Sequence, residues 1–160
     1  MRVLWLTAAV FIVDQVTKWL VNRSLDLYES IPVIENFFHL TYVSNDGMAF
    51  GLSLPGGALA LPILSLTMTI ILGIIFWQER AGHILVKISL ALIMSGALGN
   101  LFDRLRVGEV IDFFHFKIGD YWEWYIFNVA DSAVTIGMIL FLYYSFFIQR
   151  KIKVQEEILP

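Results

Sequence analysis

One stretch of the sequence, Gly99–Ser132, concentrates polar and ionisable residues between two strongly apolar segments. An ionisable side chain at the margin of a lipid bilayer is costly to keep and therefore marks a functional site by default. Two carboxylates of this stretch, Asp112 and Asp131, could converge if the flanking helices end on the same side of a membrane. A converged pair would hold one proton, because both members cannot ionise at low cost. The ionised member could then activate a water molecule while the protonated member polarises a carbonyl group.

Each of these aspartates also has a structural interpretation, which the residues alone leave open. Asn128 could cap a helix and place Asp131 three positions into it, where a carboxylate complements the helix dipole. Asp112 could be a hydrated loop residue. The separation of 19 residues (131 − 112) is not a signature of a metal site or of an activated nucleophile.

Two further polar residues precede this pair. Asn100 and Arg104 are four residues apart, so they would share one face of a helix. The guanidinium of Arg104 could orient an aspartate or bind a lipid phosphate, or it could extend to the membrane interface without a role in the site. The neighbouring Asp103 and Arg106 are expected to be solvated.

Candidate site residues also occur in the first third of the chain. Asp14 and Lys18 have the same four-residue spacing and predict an ion pair within a helix, with structural support favoured over substrate contact. Asn45, in the sequence SNDGMAFG, could donate its amide to a peptide backbone or to a lipid headgroup. A plain turn explains Asp46 and Gly47 equally well.

The composition indicates an integral membrane protein. Of the 160 residues, 58% are hydrophobic and 16% are charged, whereas soluble chains carry roughly 25% charged residues. The net charge of −3 gives no basic surface for nucleic acid, and the absence of cysteine excludes disulfides and thiolate chemistry. His39, His83 and His115 lack the spacing of metal ligands, so we expect neither a metal nor another cofactor.

Apolar segments long enough to cross a bilayer predict an all-α fold with four transmembrane helices in a single domain, 1–160. The expected helices are Val3–Val21, Gly57–Trp77, Ile84–Phe102 and Ile126–Ile148. Two long connections, about 22–56 and 103–125, join helices one to two and three to four. Within the first connection, Ile31–Tyr42 mixes β-branched and aromatic residues and predicts short strands. In the second, four aromatic residues indicate an interfacial belt: Tyr121, Trp122, Trp124 and Tyr125.

Antiparallel helices place every embedded polar motif on one side of the membrane. The lysines and arginines near the helix ends number six on the opposite side and five on the same side. Because Lys18 and Arg104 are expected to serve the site, the positive-inside rule predicts that both termini are cytoplasmic and that the site faces outward.

Five motifs in this order resemble the lipoprotein signal peptidases, also called signal peptidase II. They are DQVTK in the first helix, NDGMAFG before the second, GNLFDR ending the third, VIDF after it and FNVADS opening the fourth. Any one of these motifs is weak, but the ordered set covers essentially the whole chain. The resemblance implies a fold with a small extracytoplasmic β-cradle and an interfacial loop or helix beside the four spans.

The resemblance also implies an activity. Such enzymes are aspartic endopeptidases of the bacterial cytoplasmic (inner) membrane that remove signal peptides from prolipoproteins, cutting before a diacylglyceryl-modified cysteine. By motif, Asp112 and Asp131 correspond to the catalytic pair. The implied partners are lipidated prolipoproteins, membrane lipids and inhibitors of the globomycin type. The positions that match the rest of the family's site are Asn45, Asn100, Arg104, Asn128, Asp14 and Lys18.

Two other classes of protein stay open on the residues alone. A small transporter or channel subunit could use Asp14, Asp112 and Asp131 as a proton or cation path. Such a path predicts polar residues at every depth, whereas helix two carries no charge. A non-catalytic assembly factor would tolerate replacement of its carboxylates by asparagine.

Overall fold

Four long apolar helices dominate the computed structural model, which describes residues 3–46, 60–119 and 121–150. Each of these four segments is long and apolar enough to cross a membrane. They are α1 (Leu4–Ser24), α2 (Ala60–Gln78, continued by a 3₁₀ turn at Glu79–Ala81), α3 (Ile84–Arg106) and α4 (Val129–Tyr143, continued by a π turn at Tyr144–Ile148). The expected class of a four-helix membrane protein is thereby confirmed, while its treatment as a single domain stays a prediction.

The ends of α3 and α4 bear directly on the polar residues. Helix α3 continues to Arg106 and so includes Asp103 and Arg104 in its last turn. Helix α4 begins at Val129, because Asn128 caps it. The cap that the sequence predicted at Asn128 is confirmed.

A small antiparallel sheet connects the helices, with strand order β1-β2-β3-β4. Its strands are β1 (Ser30–Ile34), β2 (Phe38–Asn45), β3 (Val110–Ile118) and β4 (Trp122–Glu123). The expected strands within Ile31–Tyr42 correspond to β1 and most of β2. Ser44 and Asn45 end β2 and do not belong to a turn as SNDGMAFG suggested, because they pair with Ile111 and Val110 of β3. The rest of that motif, 47–51, lies outside the described residues.

Strand β3 was not anticipated, since its residues fall in the connection expected at about 103–125. Most positions of its sequence, VIDFFHFKI, are buried or half-buried, and alternation of apolar and polar residues is confined to Phe114–Ile118. A period of two is the signal that identifies a half-buried strand. The pairing with β2 places Asp112 opposite Val43.

Helix α3 lies between α1 and α4 and approaches both closely through small residues. A Cβ atom built at Gly96 would lie 2.2 Å from the carbonyl oxygen of Ala130, and one at Gly99 would lie 2.5 Å from Asp14 Oδ2. Small residues allow this backbone approach, which is characteristic of helix packing in membranes. By contrast, α2 has no fully buried residue, so it covers the bundle from one side.

Candidate active site

The carboxyl group of Asp112 is buried on β3 with only 4% of the residue exposed. Its Oδ2 accepts a hydrogen bond from Asn45 Nδ2 at 2.9 Å, and its Oδ1 accepts one from Asn128 Nδ2 at 2.7 Å. Burial raises the pKa of the Asp112 carboxyl to about 6, and the negative charge of Asp131 acts in the same direction. The hydrogen bonds from the two asparagines and the charge of Lys18 oppose this shift in pKa. Asp112 is therefore suited to hold a proton, and the interpretation of a hydrated loop residue is wrong.

Asp131 occupies the third position of α4 and forms a capping box with Asn128. The Asp131 backbone N–H donates to Asn128 Oδ1 at 2.9 Å, and the Asn128 backbone N–H donates to Asp131 Oδ2 at 3.2 Å. The other oxygen, Oδ1, accepts a hydrogen bond from Asn100 Nδ2 at 2.7 Å. Asp131 therefore both completes the cap of α4 and belongs to the polar cluster.

Asn128 links the two aspartates and is itself fully buried. Because its Oδ1 accepts from the Asp131 backbone, its Nδ2 must point the other way, toward Asp112. This orientation of the amide follows from the helix cap, because a side-chain amide has one acceptor and one donor end. A single side chain thus brings the carboxyl groups of β3 and α4 into one cluster.

Lys18 lies on the opposite side of Asn100, with 2% of its side chain exposed. Its Nζ lies 2.8 Å from Asp14 Oδ2 and 2.6 Å from Asp103 Oδ2, and it donates to Asn100 Oδ1 at 3.0 Å. An ammonium group can only donate, so the Asn100 oxygen faces Lys18 and its Nδ2 faces Asp131. The predicted ion pair between Asp14 and Lys18 is confirmed.

Asp103 is buried, so the expectation that it would be solvated is wrong. Helix α3 extends past the predicted end at Phe102, and this extra turn presents Asp103 to α1. There it pairs with Lys18 and accepts a hydrogen bond from Gln15 Nε2 at 3.0 Å. Gln15 also donates to Asp14 Oδ2 at 3.1 Å. Gln15 was not predicted as a site residue, although its position beside Asp14 within DQVTK was an available signal.

Arg104 is half-buried at the edge of this cluster, next to α2. Its Nη1 donates to Ser65 Oγ at 3.0 Å. The structure therefore does not support a guanidinium that merely extends to the interface. Ser65 is a second residue that sequence reasoning did not identify, because nothing in α2 itself distinguishes this serine.

The cluster contains more carboxylates than cations. In the described residues, the four carboxylates of Asp14, Asp103, Asp112 and Asp131 face the two cations of Lys18 and Arg104. Lys18 pairs with Asp14 and Asp103, and among the residues that the structure describes no ion pair involves Asp112 or Asp131. A shared proton on these two lowers the cost of burying them. Within the parts of the chain described here, no group of three or more histidine, aspartate or glutamate side chains is arranged to hold a metal ion.

The fold and the site together define a multi-pass membrane protein with a buried cluster of carboxylates at one end of its helix bundle. The sequence profile described as Signal peptidase (SPase) II matches residues 6–147, and the chain belongs to the signal peptidase II family.

Similar proteins agree with this membership. The lipoprotein signal peptidase of Geobacter sulfurreducens is 47% identical over 135 residues, which cover 81% of this chain and 81% of that protein. The lipoprotein signal peptidase of Desulforapulum autotrophicum is 42% identical over 150 residues, covering 91% and 92% of the two chains. A solved structure described as a bacterial membrane enzyme superposes with a TM-score of 0.79 at 33% identity, over 92% of this chain and 94% of that one.

Proposed function

We propose that this chain is an aspartic endopeptidase that removes signal peptides from diacylglyceryl-modified prolipoproteins, cutting before the lipid-modified cysteine. Membership in the signal peptidase II family supports peptide hydrolysis. The observation that supports an aspartic mechanism is that Asp112 and Asp131 both bind Asn128. No cofactor enters this mechanism.

In this proposal Asp112 holds the shared proton and Asp131 is ionised. Asp112 is the more buried of the two, whereas Asp131 lies at the N-terminus of α4, where the helix dipole favours negative charge. Asn100 Nδ2, oriented by Lys18, adds a hydrogen bond to Asp131. Titration belongs to the pair as a whole. Within the pair, these contacts favour the proton on Asp112 and the negative charge on Asp131.

The chemical steps balance without any other group. Asp131 removes a proton from a water molecule, whose oxygen attacks the carbonyl carbon of the peptide bond, while Asp112 gives its proton to the carbonyl oxygen. The product is a neutral tetrahedral diol. Asp131 then returns a proton to the amide nitrogen, Asp112 takes one from a diol hydroxyl, and the carbon–nitrogen bond breaks. Both aspartates regain their starting protonation states.

The other predicted residues support this pair in the proposal. Asn45 and Asn128 hold Asp112, Asn100 holds Asp131, and Asp14 with Lys18 maintains the orientation of Asn100. We also propose that Arg104 contacts the substrate. Membrane lipids and inhibitors of the globomycin type are proposed partners of the same site.

We further propose that the site faces outward from the bacterial cytoplasmic membrane, with both termini in the cytoplasm. Lys18 and Arg104 are engaged inside the cluster and do not contribute to orientation. Six lysines and arginines then remain on the opposite side against three on the site side, namely Arg23, Arg106 and Lys117. The positive-inside rule favours the richer side as cytoplasmic.

The transporter alternative is not supported. In the described part of the chain the buried charged side chains, Asp14, Lys18, Asp103 and Asp112, belong to one connected cluster. Helix α2 contributes no charged residue to a path across the membrane, and the similar proteins are peptidases by name.

Cleavage of a lipid-modified precursor by purified variants tests the proposal. Asp112→Asn and Asp131→Asn should each abolish release of the signal peptide, because asparagine cannot hold or transfer the proton. Asp26→Asn, at an exposed position in the loop after α1, is the matched control and should cleave like the wild type. Retained cleavage by either of the first two variants would refute the role assigned to that aspartate.

A further inference from the structure

A serine of helix α2, which carries no charged residue, holds the guanidinium of Arg104. Arg104 Nη1 donates to Ser65 Oγ at 3.0 Å. The hydroxyls of Thr67 and Thr69 instead donate to carbonyl groups of their own helix, at Ile63 and Ser65, over 2.8 and 2.7 Å. Of these three hydroxyls, that of Ser65 makes a contact outside its helix.

The position of Arg104 is not explained by ion pairing. It interacts electrostatically with Asp103 on its own helix, Asp112 on β3 and Asp131 on α4. Yet the ion pairs among the described residues involve Lys18 and His115 as cations, and none involves Arg104. A guanidinium ordinarily takes a carboxylate in bidentate geometry when one is within reach. The contact with Ser65, which holds the guanidinium at α2, therefore affects the electrostatic environment of Asp112 and Asp131.

The Nε–H group of Arg104 is buried and has no hydrogen-bond partner in the described residues. A buried donor without an acceptor is costly, and such groups are rare in folded proteins. At the edge of a peptidase site, an unused donor points to an acceptor supplied by the substrate. The atom that fits is a carbonyl oxygen.

We propose that Ser65 is a positioning residue, which holds the Arg104 guanidinium toward α2 and away from Asp112 and Asp131, so that the Nε–H group can receive a carbonyl oxygen of the substrate. This inference rests on the proposed peptidase function. Without the Ser65 hydroxyl, the guanidinium turns to the aspartate pair, stabilises its ionised form and displaces the shared proton. The catalytic pair then loses the acid that polarises the peptide carbonyl.

The experiment compares Ser65→Ala with Ser65→Thr, which retains a hydroxyl, and with Thr67→Ala, which removes a hydroxyl bonded within its own helix. Cleavage of a lipid-modified precursor is measured across pH in proteoliposomes. Ser65→Ala should lower kcat/KM by about tenfold, the loss typical of one hydrogen bond to a charged group. Its pH profile should move to lower pH, because a guanidinium nearer Asp112 favours the ionised carboxylate. Ser65→Thr should restore both values, and Thr67→Ala should match the wild type.

Two results would overturn the proposal. One is a Ser65→Ala enzyme that matches Thr67→Ala in both rate and pH profile. The other is a slower Ser65→Ala enzyme with an unchanged pH profile, which would show that the serine only packs α2 against α3. The failure of Asp112→Asn to abolish cleavage would instead refute the proposed function, so the two failures are distinguishable.

A second substrate identifies the carbonyl oxygen to which Arg104 Nε–H donates. A precursor with ether-linked chains lacks the ester carbonyls of the diacylglyceryl group but keeps its peptide carbonyls. If Ser65→Ala loses the same factor on both precursors, the acceptor is a peptide carbonyl. If the loss is larger on the ester-linked precursor than on the ether-linked one, the acceptor is an ester carbonyl.

Discussion

The Oδ1 atom of Asp14 on α1 accepts a hydrogen bond from the backbone N–H of Ala130, at 2.9 Å, and so joins α1 to the first turn of α4. The first N–H groups of a helix have no partner within it. Asp14 satisfies one of them while its other oxygen pairs with Lys18. The helix that carries Asp131 is therefore anchored by a side chain from the opposite end of the sequence.

Asp14→Ala should destabilise the protein, because it leaves the Ala130 N–H without this acceptor and removes one of the two carboxylates that neutralise Lys18. Breaking one partner of a buried ion pair costs about 3 to 5 kcal/mol, and the remaining contact with Asp103 should keep the loss near the lower figure. Thermal unfolding in detergent measures the change. Asp26→Ala, at an exposed position, is the control, and an equal Tm for both variants would contradict the anchoring role.

Asp112→Asn should change how stability depends on pH. The pKa of Asp112 is raised to about 6, so the folded state binds its proton more tightly than the unfolded state. That contribution to stability is full below the unfolded pKa of about 4 and is lost as pH rises through about 6. Relative to the wild type, the variant should become more stable as pH rises from about 4 to 7. A difference in Tm that is constant with pH would show that burial does not raise this pKa.

Asn45→Leu should move the pH dependence of cleavage. The amide of Asn45 donates to Asp112 Oδ2 and lowers its pKa, against the larger effect of burial. Loss of this donor raises the pKa further, so the acid form of Asp112 persists to higher pH. The alkaline limb of the kcat profile should shift upward by about half a unit to one unit, as expected for one hydrogen bond. A downward shift, or an alkaline limb identical to that of the wild type, would contradict protonated Asp112 as the acid.

Gly96→Ala should disturb the approach of α3 to α4. Its Cβ would lie 2.2 Å from the Ala130 carbonyl oxygen, a backbone atom that can move only with α4. Overpacking of this kind typically costs about 1 to 3 kcal/mol, and the displaced helix carries Asp131. We expect a lower Tm and slower cleavage. Gly73→Ala is the matched control on α2, where nothing lies within 4 Å of the added atom, and equal effects of the two variants would contradict the argument.

Much of the architecture could be predicted because its signals are local. A span of apolar residues identifies a membrane helix without reference to its neighbours. A four-residue spacing is also local, which is why the contact between Asp14 and Lys18 was predicted correctly. The convergence of the polar motifs at one end followed from the number of helices alone.

The details of the site could not be predicted, because their causes lie far away in the sequence. Asp103 looked solvated, and only the approach of α1 shows that its partner is Lys18. Strand β3 was missed because apolar and polar residues alternate only in its second half, Phe114–Ile118. The orientation of Asn128 depends on a cap and on Asp112 together.

The membrane class, the four spans and the set of polar residues at one end could be predicted from local patterns, because hydropathy and helical periodicity are properties of neighbouring residues. The partner of each polar side chain depends instead on how distant elements of the chain pack together. A buried donor or acceptor takes whatever group the packing brings within about 3 Å, and that group belongs to another element of the fold. Asp112 is therefore a loop aspartate in the sequence and a buried acid in the structure.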